Sequence, residues 1–383
     1  MLARNVISSI LKHDAKITSY KIALLRAIND VVLNFPDLQL YQRDVAIPLK
    51  LLAQFWIAYY WPFVQSEQPI FQGQRSLFKG EIRNDMTFRP QLTALRQEWE
   101  QVLGGVSRPS DGFFLIGELR VPRKYTKYPQ SLHQAYAETV ASIEKALEMP
   151  IKYAGLGHWE VFAKPCKLKL LDHPVIAVPG TQLEDKCLIV EANLWQAFQE
   201  MSLWVEALCI HEWCLFSEKV QQESPQRAER GLIYTLLTDR PDNRRPLTWE
   251  RNQVDLLLME GKEFICPWTE KRIVPGIEYH LDHLVPVSVI PINELWNLLP
   301  ADPKFNSHKK RDRLPSLMRL QTAQPYFELA YQHYSSSALL STALQEDIRI
   351  RFPTSDAMVP KTLAKAVVNL IEIVASSRNL ARF

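Results

Sequence analysis

Eight consecutive residues, Asp239-Arg240-Pro241-Asp242-Asn243-Arg244-Arg245-Pro246, carry two prolines, three arginines and none of the large apolar residues that build a core. Such a run is a turn or linker, because proline removes backbone donors and fixes φ while the charged groups stay in water. It divides the chain into parts that must each bury a core of their own. A length of 383 residues leads to the same expectation of two or three domains. The linker is placed at 239–247, after an N-terminal region 1–238 and before a segment 248–315 and a C-terminal segment 316–383.

Periodicity predicts a mostly helical α+β chain. Apolar residues recur at helical spacing from Ser19 to Phe35, from Thr93 to Leu103, and from Leu132 to Leu147, where Pro150 is expected to end the helix. Asn193 to Val220 reads as a long helix rich in Trp and Leu, and a shorter one runs to about Leu237. Phe113 to Leu119 is short, apolar and aromatic, a strand candidate. Between His158 and Glu191 the pattern breaks into short β-type runs separated by Pro165, His173-Pro174 and Pro179-Gly180. Thr248 is expected to cap a new helix, with Glu250 in its first turn. Leu317 to Tyr334, Ala338 to Ile350 and Pro360 to Arg378 read helical.

Charge and cysteine content narrow the class. The formal net charge of +3 announces no global field for nucleic acid, so any such signal is local. Five cysteines, an odd number without regular spacing, fit reduced thiols in a cytoplasmic protein. Cys209 and Cys214 fall inside a helical pattern and read as buried thiols. The residues Met1 to Asp14 lack the apolar core of a signal peptide. The most hydrophobic run, Val45 to Val64, is interrupted by Pro48, Lys50 and Gln54 and reads as a buried aromatic-rich helix.

One stretch carries chemistry: Tyr279-His280-Leu281-Asp282-His283-Leu284-Val285-Pro286, then Leu295-Trp296-Asn297-Leu298-Leu299-Pro300, then Phe305-Asn306-Ser307-His308-Lys309-Lys310. Phe264 to Val274 looks like a leading hairpin, Tyr279 to Leu284 a strand, Leu295 to Leu299 a second strand or turn, and Pro303 to Arg311 a short polar helix. Asp282 and His283 point to opposite faces of a strand that ends at Val285-Pro286, so a carboxylate and an imidazole can flank one site. An imidazole with an unperturbed pKa of about 6.5 is mostly neutral at physiological pH and can take a proton from water. On a helix, Asn306, Lys309 and Lys310 share a face. His280 is on the strand face of Asp282 and is a third candidate ligand or phosphate contact; His308 is off the Asn306 face.

The Asp-His-x-x-Pro, Trp-Asn-Leu-x-Pro and Asn-x-x-Lys pieces, in this order and spacing, resemble an HNH nuclease of the ββα-metal kind over about 65 residues, a sixth of the chain. The resemblance implies a ββα-metal domain at 248–315. It makes Asp282 and Asn306 metal ligands and His283 the general base, with Asn297 holding the His-bearing loop and Lys309 on phosphate. A carboxylate and an amide oxygen are hard donors, which favours Mg²⁺ or Mn²⁺. The paired Cys-x-x-Cys motifs of many relatives are missing, since Cys266 stands alone there, so no structural zinc is expected.

Local charge points to DNA as partner. Lys309, Lys310, Arg311 and Arg313 form one basic cluster and Arg244 and Arg245 belong to a second. Nothing suggests a membrane. The expectation is a DNA endonuclease of a bacterial defence or restriction system. Its region 1–238 would supply targeting, sensing or a protein, guide or nucleotide activator site, an inference from analogy. The alternatives are a nucleic-acid-binding or complex-assembly subunit with a regulated or inactive HNH fold, and an RNA-cleaving nuclease.

Overall fold

The computed structural model describes residues 3–38, 42–65, 69–73, 76–78, 81–83, 85–221, 228–239, 247–290, 292–352 and 359–383. The chain divides into two compact units. One comprises Met1–Asn34, Gln39–Arg120 and Lys124–Arg240, the other Phe35–Leu38, Val121–Arg123 and Pro241–Phe383. Helix predominates and the sheets are small, so the class is α+β.

The first unit is built around the helix Leu49–Tyr60, which begins directly after the strand Val45–Pro48. Pro48 sits at the N-cap, where its missing N–H costs no helical hydrogen bond. Trp56, Tyr59 and Tyr60 are buried and meet Tyr20, Phe63, Phe88 and Trp213 ring against ring, so this aromatic run is core. The helices Tyr20–Asn34, Gln130–Lys152 and Ala192–Gln221 surround it. Val45–Pro48 is one of the two inner strands of a four-stranded sheet. It runs antiparallel to Lys186–Val190, with Val45 opposite Val190, and parallel to Ile176–Ala177.

Three local expectations are corrected. Phe113 to Leu119 belongs to a helix, Asp111–Leu119. A short apolar run has no periodicity to separate the two states, and here packing decides. Gly112 lies so close to the central helix that a Cβ would come within 2.8 Å of the Ala58 Cα and the Trp61 Cβ. Pro150 does not end its helix, which continues two residues to Lys152: the proline gives up its own N–H bond and crowds the carbonyl four residues back, yet its fixed φ is helical, so the last turn still forms. Thr248 is the first helical residue of Thr248–Met259 rather than its cap; Leu247 holds the cap position. Cys209 and Cys214 are buried free thiols, and burial pushes the Cys209 thiol far above its usual range.

In the second unit one hydrophobic core runs from Val254 to Ala375. The helices Leu317–Ser336, Ala338–Arg351 and Pro360–Ser377 therefore share a core with the strands that precede them. Tyr331 and Tyr334, both buried, donate to the carbonyls of Trp296 and Leu298 at 2.6 and 2.8 Å. These two hydroxyls tie the helix Leu317–Ser336 to the turn Leu295–Asn297 and to the start of the strand Leu298–Ala301, which pairs with the strand His280–His283. The linker 240–246 lies outside the described residues.

Candidate functional site

The strand His280–His283 pairs antiparallel with Leu298–Ala301, placing Asp282 opposite Leu299 and His283 opposite Leu298. Beside it the short hairpin Phe264–Ile265 and Arg272–Ile273 is held by Phe264, Cys266, Trp268 and Ile273, all buried. The Cys266 sulfur accepts the Asp302 N–H at 3.2 Å, so it joins the hairpin to the end of the second strand.

Asp302 then starts a helical segment. Its carboxylate accepts the N–H groups of Lys304 and Phe305 at 2.9 and 3.2 Å, an N-cap that satisfies two donors the first turn leaves over. Lys271 pairs with the same carboxylate and holds it below the usual carboxylate range. Pro303–Phe305 leads into a wide π-type turn over Asn306–Lys310, where the Arg311 N–H bonds the Asn306 carbonyl at 3.0 Å. Arg311 closes this turn at φ 49°, a backbone region that a non-glycine residue rarely adopts. Wide turns and left-handed residues of this kind concentrate at functional sites.

The wide turn brings Lys310 onto the strand. Lys310, 1% exposed, donates from Nζ to Asp282 Oδ1 at 2.8 Å and to the His283 carbonyl at 2.6 Å. The other oxygen of Asp282 accepts the Trp268 indole N–H at 2.8 Å. Asp282 is thus a buried carboxylate with a defined orientation and a cation already against one oxygen.

His283 is also buried, and its Nε2–H donates to Asn293 Oδ1 at 2.6 Å. An amide oxygen only accepts, so this bond fixes the tautomer and leaves Nδ1 with the lone pair in the neutral ring. Asn297 is fully buried. Its Oδ1 accepts the Val285 N–H at 2.7 Å, its Nδ2 donates to the Val285 carbonyl at 3.0 Å, and its own carbonyl accepts the Leu284 N–H at 2.8 Å. The segment that leaves His283 is therefore fixed to the start of the second strand.

The remaining sequence candidates are distributed as follows. His280 is half-buried on the strand, two residues before Asp282 and so on its face. Asn306 is half-buried at the start of the wide turn. His308 is exposed and its Nδ1–H donates to the Lys304 carbonyl at 3.0 Å, within its own helix. Lys309 and Arg311 are exposed, and Arg313 donates to the Lys309 carbonyl. Lys310 differs from its sequence expectation: the π-type turn rotates it inward onto Asp282, away from the solvent face that Lys309 keeps. Arg244 and Arg245 lie outside the described residues.

Two partners were not foreseen as such. Trp268 reads as hairpin packing in the sequence, yet its N–H orients Asp282. Asn293 lies in the mostly apolar stretch between Val287 and Trp296, and an amide there was the one available signal.

The donor chemistry fits a divalent cation. Asp282 Oδ1 already stabilises a positive charge in a buried place, and a carboxylate oxygen retains a further lone pair. Among the described residues no three His, Cys, Asp or Glu side chains gather to hold an ion. If a divalent ion were bound here, Asp282 would offer it one hard carboxylate donor, and water and substrate phosphate would have to complete most of its shell.

No curated protein and no solved structure matches the chain. Residues 2–237 match a family described only as a domain of unknown function, and the candidate site lies wholly beyond them. With more than half of its length matched in this way, the protein belongs to the DUF8808 family.

Proposed function

We propose that the protein is a metal-dependent endonuclease that hydrolyses phosphodiester bonds in DNA at an HNH-type ββα site. The observation that carries the reading is the convergence on Asp282. A strand supplies Asp282 and His283, and the helical segment that begins at Asp302 reaches the same carboxylate through Lys310 at 2.8 Å. Antiparallel strands, a helix and a fixed imidazole beside a buried carboxylate are what single-metal phosphodiester hydrolysis needs.

In this reading His283 is the general base. Its ring is held by Asn293 through Nε2, and the imidazole takes the proton from the attacking water. Asn297 keeps the adjoining backbone fixed, so the imidazole does not drift as charge moves onto it. Trp268 orients Asp282. A Mg²⁺ or Mn²⁺ ion held by Asp282 and Asn306 would supply charge stabilisation at the phosphoryl and leaving oxygens. Lys309 and Arg311, exposed on the turn, take the DNA backbone. The DUF8808 region would control where or when cutting occurs, through DNA, a partner protein or a guide or nucleotide activator. A cytoplasmic bacterial defence or restriction system is the setting that fits.

A second reading has its own support. Lys310 neutralises Asp282, which also suits a regulated or inactive HNH fold serving as a nucleic-acid-binding or assembly subunit. Supercoiled plasmid and a single-stranded RNA, each incubated with Mg²⁺, Mn²⁺ or EDTA, separate the readings. Divalent-dependent plasmid nicking that disappears in His283→Ala is expected. Nicking that persists in His283→Ala overturns the mechanism, RNA cleavage alone moves the substrate, and no cleavage by the wild type favours the binding subunit.

A further inference from the structure

We propose that Lys310 is a displaceable internal counter-ion: it occupies Asp282 until a divalent cation replaces it, so that loading of the ion and release of Lys310 are one event. This rests on the reading of Asp282 as a metal ligand.

The pair is buried on both sides, with side-chain exposures of 2% for Lys310 and 3% for Asp282. Neither charge is tolerable there alone, because an unpaired ion away from water is strongly destabilising. Lys310 therefore supplies in the ion-free protein the positive charge that an ion would otherwise provide. It also reaches the His283 carbonyl at 2.6 Å, so one ammonium spans the candidate ligand and the backbone of the candidate base.

An ion bound directly to Asp282 Oδ1 would approach to about 2.1 Å. With the ammonium still at 2.8 Å from the same oxygen, two cations would stand a few ångströms apart in a buried place, where screening is weak. The Trp268 indole holds Oδ2 at 2.8 Å, so the carboxylate cannot simply turn to give each cation its own oxygen. Lys310 is the member that can leave, since it sits at the end of a π-type turn closed by the left-handed Arg311. Such a turn holds one residue more than a regular helical turn and can rearrange without disturbing the strands. Once displaced, the ammonium lies at the rim beside Lys309 and adds to the phosphate-facing charge. Binding of the ion and of the nucleic acid then reinforce each other.

The test is Mn²⁺ binding to the full-length protein, without any cleavage readout. Titration calorimetry and the electron paramagnetic resonance signal of free Mn²⁺ would compare wild type, Lys310→Met, Lys310→Gln and Asp282→Asn. Removing an internal competitor raises the affinity of the site it blocks. Both Lys310 variants are expected to bind Mn²⁺ about ten-fold or more tightly than wild type, and Asp282→Asn to lose binding. Mn²⁺ should also raise the melting temperature of Lys310→Met more than that of wild type. If Lys310→Met does not fold, Lys310→Gln, which keeps a donor toward Asp282, carries the comparison. Wild-type binding that depends on Asp282 but is unchanged or weakened in the Lys310 variants overturns the displacement and leaves the metal-site reading standing. Absence of Mn²⁺ binding in every protein overturns both.

Discussion

The Asn297 side chain holds the Val285 backbone at both of its polar groups, accepting its N–H at 2.7 Å and donating to its carbonyl at 3.0 Å. Asn297 does here what a neighbouring strand would do, two residues beyond the end of the His280–His283 strand. Asn297→Ala leaves a buried donor and a buried acceptor without partners, each costing about 1–3 kcal/mol. The expected result is a loss of about 2–4 kcal/mol in urea unfolding of the unit that contains residues 241–383. An unchanged unfolding midpoint would show that the segment after His283 is held by something else.

Asn293 offers a sharper test of the proposed chemistry. It fixes which nitrogen of His283 carries the proton. Groups that orient a working imidazole change rates by about 10–100-fold when removed. Asn293→Ala should reduce single-turnover plasmid nicking by that factor while DNA affinity stays within two-fold of wild type, by about the scatter of such measurements. Asn293→Asp, which keeps an acceptor at Nε2, should retain more activity than Asn293→Ala. Equal losses in the two variants would argue against orientation as the role.

The sequence makes the strand at His280–His283 and the helical segment after Pro303 legible, because a short alternating run before Val285-Pro286 and a polar segment behind a proline are local signals. The second strand was only half legible. Leu295–Asn297 is a 3₁₀ turn and the pairing begins at Leu298, a boundary set by the register with His283 rather than by composition. The contacts that give the site its character were not legible. Trp268 meets Asp282 across 14 residues, His283 meets Asn293 across 10 and Lys310 meets Asp282 across 28, and periodicity carries no information about such meetings. The inward turn of Lys310 depends on one wide helical turn, which an i, i+3, i+4 reading replaces with a regular one.

Asp302 gives a pH dependence with a definite sign. Lys271 beside it, and the two N–H groups of the first turn, favour its ionised form, so its folded pKa lies below the unfolded one. A carboxylate of this kind contributes stability that is fully present above its unfolded value, near 3.9, and is lost as pH falls through the folded value. Lys271 is the larger cause and the cap N–H groups add to it, but Lys271 is largely exposed, so solvent screening keeps the ion pair's share of the stability small. Asp302→Ala should cost about 1 kcal/mol at pH 7. The difference between wild type and Asp302→Asn, followed by thermal unfolding, should shrink as pH is lowered below about 4. A difference that grows on acidification would reverse the assignment.

Adjacent residues Lys309 and Lys310 should fail in opposite ways. Lys309 is exposed and in the proposed interface contacts phosphate, so Lys309→Ala should weaken DNA binding uniformly across sequences and lower the slope of log K against log salt by about 1. Its stability should stay within about 0.5 kcal/mol of wild type, as for most surface changes. Lys310 is buried against Asp282, and Lys310→Met leaves that carboxylate uncompensated, a change that typically costs about 3–5 kcal/mol. Measured without divalent ions, where Lys310 is committed to Asp282, its salt slope should match wild type. Fluorescence anisotropy over a salt series, paired with denaturant unfolding of the same proteins, reads both quantities. If Lys309→Ala left the slope unchanged, this turn would not be the DNA-facing edge. If Lys310→Met lowered the slope without loss of stability, the inward placement of Lys310 would not describe the protein in solution.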